Sequence, residues 1–129
     1  METILLVEDD PSNLMVISSI LRRDGYNVVE ADRGTAAACV CRKLQPDLLV
    51  SDIALPDLSG TEVASQAVEC FPEMPVLFIS GTPVDGWSAA DQSNFKRLSA
   101  KMVGFLEKPF LPTALCRKVR DLLNRLPHV

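Results

Sequence analysis

The residues best suited to chemistry in this chain are acids, a hydroxyl and a lysine that each follow a short apolar run. Residues 48–51 lead into Asp52, and Pro56 and Gly60 then end the strand pattern. The other polar groups that follow apolar runs are Glu8, Asp9, Asp10, Ser80 and Lys108. If these runs are neighbouring parallel strands, their carboxyl ends lie at one edge of the sheet, where chemistry collects. The sequence therefore predicts that these groups converge around Asp52.

The predicted cluster has the composition of a phosphoryl-transfer site. Glu8, Asp9 and Asp52 would repel one another strongly at close range, and a divalent cation would remove that repulsion. Oxygen-only ligands favour Mg²⁺, and the absence of a nearby histidine or a paired CxxC motif makes zinc a poor fit. Lys108 adds a compact positive charge, and Ser80 adds a hydroxyl donor. A carboxylate nucleophile, Mg²⁺, a lysine and a hydroxyl are what transfer to an aspartate requires.

Each of these residues also has an ordinary structural interpretation. Asp10 before Pro11 is typical of a helix N-cap. Glu8 and Asp9, taken alone, suit a solvated loop end as well as a metal site. Asp52 alone is compatible with an Asx-turn, and Lys-Pro alone indicates only a turn. The combination, with each group at the end of its own strand, is more specific than any single member.

The apolar pattern predicts one α/β domain over residues 1–129. Five short strands alternate with five helices, and the strands are apolar without alternation, as is typical of parallel strands covered on both faces. The predicted strands are residues 3–7, 27–31, 48–51, 76–79 and 103–107. The last helix is the clearest, with apolar residues at helical spacing at Leu115, Val119, Leu122 and Leu126, and Pro127 after its end.

Composition limits the function classes. The chain has 129 residues and a net charge of −4, without a long basic run, which argues against direct nucleic-acid binding. No apolar stretch reaches the roughly 20 residues that span a bilayer, and no signal peptide is apparent, so we expect a cytoplasmic protein that does not act at a membrane. The cysteines, expected to be reduced and buried or half-buried, are Cys39, Cys41, Cys70 and Cys116.

The chain resembles the receiver domain of two-component response regulators over essentially its full length. The matching segments are residues 6–9, 51–56, 79–81 and 105–110. The resemblance implies a flavodoxin-like, doubly wound three-layer αβα fold with a parallel five-stranded sheet in the order 2-1-3-4-5. It also implies a phosphorylation-operated signalling switch that depends on Mg²⁺.

Site roles follow from the resemblance position by position. Asp52 matches the phosphoacceptor and a metal ligand, and Asp9 matches the direct Mg²⁺ ligand. Glu8 would act on the metal through water, and the backbone carbonyl of Ala54 would be a further ligand. Asp10 is an extra acid that we leave off the metal. Most receivers carry two aspartates where this chain has Glu8-Asp9, a common variant that we expect to hold Mg²⁺.

The remaining roles concern the response to phosphorylation. Ser80 matches the switch hydroxyl, Phe105 the switch aromatic, and Lys108 the lysine that contacts the phosphoryl group. The segment between Ser80 and Lys108 is longer than in a usual receiver, and Lys101-Met102-Val103 replaces a common Gly-Ala pair. We expect output through the fourth helix, fifth strand and fifth helix. Trp87 in this segment would be either an interface residue or a cap on the core.

The resemblance implies that the phosphodonor is a histidine kinase or phosphotransfer protein, with an unknown output protein or domain. His128, the only histidine, is two residues from the chain end and is a poor candidate for the donor. The domain would be a stand-alone receiver or part of a hybrid histidine kinase. It would not be an enzyme apart from self-catalysed phosphotransfer to Asp52 and slow hydrolysis from it.

Two alternative functions remain open. A degenerate receiver would bind partners without phosphorylation, and the complete set of site residues argues against it. An aspartate-nucleophile phosphohydrolase would also place an aspartate, a hydroxyl and a lysine at strand ends. Such enzymes usually carry the nucleophile after the first strand and need a substrate cap, whereas Asp52 follows the third predicted strand.

Overall fold

The computed structural model describes residues 1–98 and 102–124, within which strands and α-helices alternate. The strands are β1 (Thr3–Val7), β2 (Asn27–Ala31), β3 (Leu48–Asp52), β4 (Val76–Ser80) and β5 (Val103–Glu107). The helices are α1 (Pro11–Arg23), α2 (Gly34–Leu44), α3 (Gly60–Cys70), α4 (Ala89–Arg97) and α5 (Pro112–Asn124), with a short 3₁₀ turn at Val84–Gly86. Predictions that involve Lys101, Leu126, Pro127 and His128 lie outside the described residues.

All five strands are parallel, in the order β2-β1-β3-β4-β5, which confirms the predicted fold. The register pairs Val7 with Ser51, Asp52 with Ile79, and Ser80 with Glu107. The carboxyl ends of β1, β3, β4 and β5 therefore lie at the same edge of the sheet. Each of these strands delivers one part of the predicted site to that edge.

The core has two apolar layers, one on each face of the sheet. On one face, alternate residues of the central strands pack against Ile17 and Leu21 of α1 and against α5. On the other, the intervening residues pack against α2, α3 and Trp87. Because β1, β3 and β4 are buried on both faces, their sequences are continuously apolar. Burying each large aliphatic side chain contributes about 1.5–3 kcal/mol.

Trp87 caps the second apolar layer. Its side chain is only 8% exposed, and its ring centroid lies 5.4 Å from that of Phe95, 5.7 Å from that of Phe105 and 6.0 Å from that of Phe78. The indole Nε1–H donates to the Thr82 carbonyl oxygen at 2.8 Å. Of the two interpretations of Trp87, the structure therefore supports the core cap and not the exposed interface residue.

The expectation for the cysteines was wrong for two of the four. Cys41 is buried and Cys116 half-buried, but Cys39 and Cys70 are exposed. Cys39 lies two residues before Cys41 on α2, so the two side chains point to different sides of the helix. Cys70 shares a helix face with the buried Ala67, but it is the last residue of α3 and is exposed.

At α1, α3 and α4, the first turn of the helix is capped by the residue just before it, whereas at α2 the capping residue is distant in sequence. Asp10 caps α1 as predicted, Ser59 caps α3, and Ser88 caps α4 by accepting from the backbone N–H of Asp91. Helix α2 has no such cap from its own N-cap residue, Arg33.

Asp57, in the loop after β3, performs that function for α2. Its Oδ1 accepts from the backbone N–H of Gly34 at 2.7 Å, and its Oδ2 accepts from that of Thr35 at 2.8 Å. Hydrogen bonding by the Thr35 side chain and backbone, then by Gly34 and Leu58, holds the pKa of Asp57 well below its ordinary value. The loop that follows Asp52 is thereby attached to α2.

None of the helices in the described ranges is both long and apolar enough to cross a membrane.

We expect Asp57→Asn to lower the free energy of unfolding, because the amide retains one acceptor oxygen where the carboxylate uses two. A carboxyl group with a depressed pKa stabilises the folded state above its unfolded pKa, and that stabilisation is lost as pH falls through the folded pKa. The deficit of the variant should therefore be full at neutral pH and shrink as pH falls below 3.8, the ordinary carboxyl value. Urea unfolding at several pH values measures this. The control is Asp121→Asn at an exposed position of α5, and a deficit that is independent of pH would contradict the assignment.

Candidate functional site

The candidate site begins with three acids at the carboxyl edge of the sheet. Glu8 and Asp9 follow β1, and Asp52 is the last residue of β3. One carboxylate oxygen from each lies within 4.8 Å of the others. Glu8 is 1% exposed, Asp52 is half-buried and Asp9 is exposed. The group therefore runs from the protein interior to the surface, and a bound ion would be reachable from solvent.

Lys108 joins two of these acids. Its Nζ lies 2.9 Å from Asp52 Oδ2 and 3.0 Å from Glu8 Oε2. The backbone of Lys108 is fixed to β4, because its N–H donates to the Ser80 carbonyl oxygen at 2.8 Å. The Lys108–Pro109 peptide bond that follows is cis. Residues from the ends of β1, β3 and β5 therefore meet in one ion-paired group.

The pKa shifts in this group agree with its geometry. Burial raises the pKa of Glu8, and the charge of Asp52 raises it further, while the hydrogen bond from Lys108 acts in the opposite direction. Burial by itself would lower the pKa of Lys108, but its hydrogen bonds to Asp52 and Glu8 outweigh burial and raise that pKa. Lys108 thus places a positive charge at hydrogen-bond distance from both acids and offsets the repulsion between them.

The donor atoms fit a hard divalent cation. The three acids offer only oxygen ligands, which Mg²⁺ prefers, and Mg²⁺ commonly takes one or two carboxylates and completes its shell with water and phosphate oxygens. Asp9 offers an exposed carboxylate on the open side of the group. Ala54, the predicted carbonyl ligand, is two residues after Asp52, and its backbone N–H donates to Asp52 Oδ1 at 3.3 Å. An acidic cluster of this kind could hold a metal ion.

Ser80 and Phe105 lie on the adjacent strands β4 and β5. Ser80 is buried, and its Oγ accepts from the backbone N–H of Thr82 at 3.0 Å. The Thr82 carbonyl oxygen in turn accepts from the Trp87 indole, and the Trp87 ring packs edge-on against Phe105. A continuous set of contacts therefore runs from Ser80 through Thr82 and Trp87 to Phe105.

Gly60, which sequence reasoning treated only as a pattern breaker, is also required by the site. A Cβ at this position would lie 2.0 Å from the Asp52 carbonyl oxygen, and the Gly60 N–H donates to the Ile53 carbonyl oxygen at 2.9 Å. The start of α3 thus packs directly on the backbone that carries Asp52. Only glycine permits so close an approach.

Comparison with known proteins agrees with this geometry. The family model for the response regulator receiver domain matches residues 4–120. The chain belongs to the response regulator receiver family. Receiver domains of this family are mainly signalling switches rather than classical enzymes. They take phosphoryl groups from histidine kinases and act on output domains.

Two curated relatives show the range of proteins that contain such a domain. The transcriptional regulatory protein CreB of Escherichia coli K12 is 33% identical over 128 residues, which are 97% of this chain and 52% of CreB. The chain thus spans about half the length of several relatives that it matches. The response regulator receiver protein CpdR of Brucella abortus is 31% identical, and the match covers 98% of this chain and 94% of CpdR.

A solved structure has the same fold. The receiver domain of sensor histidine kinase PA1611 from Pseudomonas aeruginosa PAO1 superposes with a TM-score of 0.82 at 28% identity, covering 95% of this chain and 98% of that one. That structure holds a magnesium ion coordinated in its active-site cleft.

Proposed function

We propose that this receiver domain is a switch operated by phosphorylation of Asp52 with Mg²⁺. The observation that carries the proposal is the convergence of Glu8, Asp9 and Asp52 within 4.8 Å, with Lys108 Nζ bridging Asp52 and Glu8. The domain would extend over residues 1–129. A cytoplasmic location is part of the proposal, because the four cysteines are free thiols, as expected in a reducing compartment.

The proposed reaction uses Asp52 as the nucleophile. A carboxylate oxygen of Asp52 forms a bond to the phosphorus of a phosphohistidine on a histidine kinase or phosphotransfer protein. The P–N bond of the donor breaks, and the imidazole leaves with the electron pair of that bond. Water would later cleave the acyl phosphate slowly and return the free carboxylate. Beyond this self-catalysed transfer and hydrolysis, the domain would have no enzymatic activity.

The metal-binding residues would be Asp9, Asp52 and the backbone carbonyl of Ala54, with Glu8 acting through water. When bound, Mg²⁺ would neutralise charge on the transferring phosphoryl oxygens. Lys108 already neutralises part of the charge on Asp52 and would be free to contact a phosphoryl oxygen after transfer. Magnesium in the related kinase receiver supports this assignment.

An apolar surface beside the site suits the phosphodonor protein. Met15 and Val16 of α1 and Leu111 before α5 are exposed large apolar side chains, at 66%, 55% and 71%. Val16 lines a groove together with Lys108, which contacts Asp52. Because Lys108 belongs both to this groove and to the site, we propose that the phosphodonor protein docks here. Apolar contact would hold that protein while its phosphohistidine reaches Asp52.

Phosphorylation would change the domain through Ser80. A phosphoryl group on Asp52 offers acceptor oxygens that a nearby hydroxyl can bind. A shift of Ser80 towards Asp52 would disturb its bond with Thr82, and the contacts through Trp87 would carry that change to Phe105 and α4. Phosphorylation would then shift the balance between two conformations, and the surface of α4, β5 and α5 would meet the output partner.

We expect Asp52→Asn to abolish labelling by a small phosphodonor such as acetyl phosphate in the presence of Mg²⁺, because the amide is a poor nucleophile. Intact mass spectrometry measures the addition of one phosphoryl group. Asp57→Asn, five residues later, is the matched control and should still label. Labelling of Asp52→Asn to the wild-type extent would disprove the assignment of Asp52, and failure of the wild type to label would favour the degenerate-receiver alternative.

We expect Asp9→Asn to weaken Mg²⁺ binding by at least about tenfold, the smallest loss typical of changes around a metal site. Asp10→Asn should have little effect, because the Asp10 side chain caps α1 through the backbone N–H of Ser12. Isothermal titration or NMR titration with Mg²⁺ compares the two variants. Equal losses in both would indicate a general charge effect rather than a specific ligand.

We expect Ser80→Ala to leave phosphorylation of Asp52 largely intact but to reduce the response of Phe105 and Trp87. The variant removes the hydroxyl that accepts from Thr82 and would bind the phosphoryl group. The measurements are the NMR shift change of the Phe105 amide and the Trp87 fluorescence change on adding beryllofluoride with Mg²⁺. An unchanged response at both residues would refute this coupling.

A further inference from the structure

A polar network joins the start of α3 to α4. We call Ser59, Thr61, Asp91 and Asn94 the α3–α4 network. Asp91 Oδ1 accepts hydrogen bonds from the Ser59 hydroxyl and, at 2.6 Å, from the Thr61 hydroxyl. The side-chain amide of Asn94 donates to Thr61 Oγ1 at 3.1 Å. Thr61 is fully buried, so its hydroxyl depends on these partners rather than on water.

The same end of α3 is fixed to the phosphoacceptor backbone. Ser59 caps α3, and the next residue, Gly60, packs so closely that a Cβ would lie 2.0 Å from the Asp52 carbonyl oxygen. The Gly60 N–H donates to the Ile53 carbonyl oxygen. A displacement of Ser59 or Thr61 must therefore move the backbone around Asp52 or break these contacts.

Helix α4 has few other attachments of comparable strength. No residue of Ala89–Arg97 is fully buried, and Phe95 is its half-buried apolar contact with the core. Hydrogen bonds to a charged group are roughly twice as strong as those between neutral groups, so the bonds of the Asp91 carboxylate hold the helix in addition to its apolar contact through Phe95. The α3–α4 network is thus a principal constraint on where α4 lies.

We propose that Asp91 is a positioning residue for Asp52, and that the α3–α4 network couples the position of α4 to the state of the phosphoacceptor loop. The coupling is separate from the route through Ser80, Trp87 and Phe105, because it reaches α4 from α3 rather than from β4. The structural coupling does not depend on the proposed function, but a role of this coupling in signalling does. Coupling between two sites is reciprocal, so a partner that moves α4 would also change the binding of a phosphoryl group or its analogue at Asp52.

The first experiment measures hydrogen exchange in the protein without phosphodonor or metal, so it does not depend on the proposed function. Asp91→Ala should increase exchange about tenfold both in α4 and in residues 53–59. Asp91→Asn retains the Oδ1 acceptor and should keep most of the protection from hydrogen exchange in both segments. The control is Asp85→Ala, an exposed acid in the preceding turn whose side chain accepts no hydrogen bond from any described residue. Faster exchange in α4 alone would overturn the proposal and leave Asp91 a local anchor of that helix.

The second experiment tests coupling to the site. Asp91→Ala should weaken beryllofluoride binding with Mg²⁺ by at least about fivefold, the lower end of typical allosteric coupling, and Asp85→Ala should not. If wild type binds no beryllofluoride, the proposed function fails, while the exchange experiment still decides the role of Asp91. Equal binding by wild type and Asp91→Ala would overturn the coupling.

A further variant keeps the test valid if Asp91→Ala does not fold. Thr61→Val removes one hydroxyl donor without changing the side-chain shape, and it should increase exchange in the same two segments. Protection of residues 53–59 that is unchanged in Thr61→Val would contradict the proposal.

Discussion

The interaction on which the site depends is the ion pair of Lys108 with Asp52 and Glu8. Glu8 is almost completely buried, and a buried carboxylate without a partner would be neutralised by protonation rather than remain charged. Lys108 supplies the opposing charge at hydrogen-bond distance. Because Lys108 is itself held to the Ser80 carbonyl, the ends of β1, β3, β4 and β5 are brought into one connected group. The parallel sheet makes this possible by aligning those four strand ends at the same edge.

Around this group, the loop after Asp52 is fixed at several points rather than left free. Asp57 attaches it to α2, and Gly60 seats α3 against the Asp52 backbone. A receiver must hold its acids in place for phosphoryl transfer and still transmit a change elsewhere. Here the rigid contacts lie in the apolar layers and the loop, whereas α4 depends on polar bonds and one aromatic side chain. Helix α4 is the one α-helix among the described residues without a fully buried residue.

The aromatic group of Phe78, Trp87, Phe95 and Phe105 gives the region after β4 its own packing. Four rings at centroid separations of 5.4 to 6.0 Å fill the space above β4 and β5, and such pairs add about 0.5–1.5 kcal/mol beyond the burial of their area. The Trp87 indole also donates to the carbonyl oxygen of Thr82, and the backbone N–H of Thr82 donates to Ser80 Oγ. Phe105, the proposed switch aromatic, is consequently part of an aromatic group and does not stand alone beside β4.

The sequence by itself determined the five strands, the burial of β1, β3 and β4 and the residues at the carboxyl ends of the strands, because a strand covered on both faces must be continuously apolar and a polar residue must end it. The expectation of cover on both faces was wrong for β2 and β5, which lie at the edges of the sheet and are only partly buried. The sequence also determined the cap at Asp10, whose partner Ser12 lies two residues away. Tertiary structure alone decided the features that join distant segments. The bond from Asp57 to α2, the network around Asp91 and the burial of Trp87 each depend on residues more than eight positions apart, for which no local pattern exists. The exposure of Cys39 on α2 and of Cys70 on α3 was decided in the same way. Helical spacing identifies an apolar stripe on each helix, but only the packing of the folded protein shows where that stripe ends.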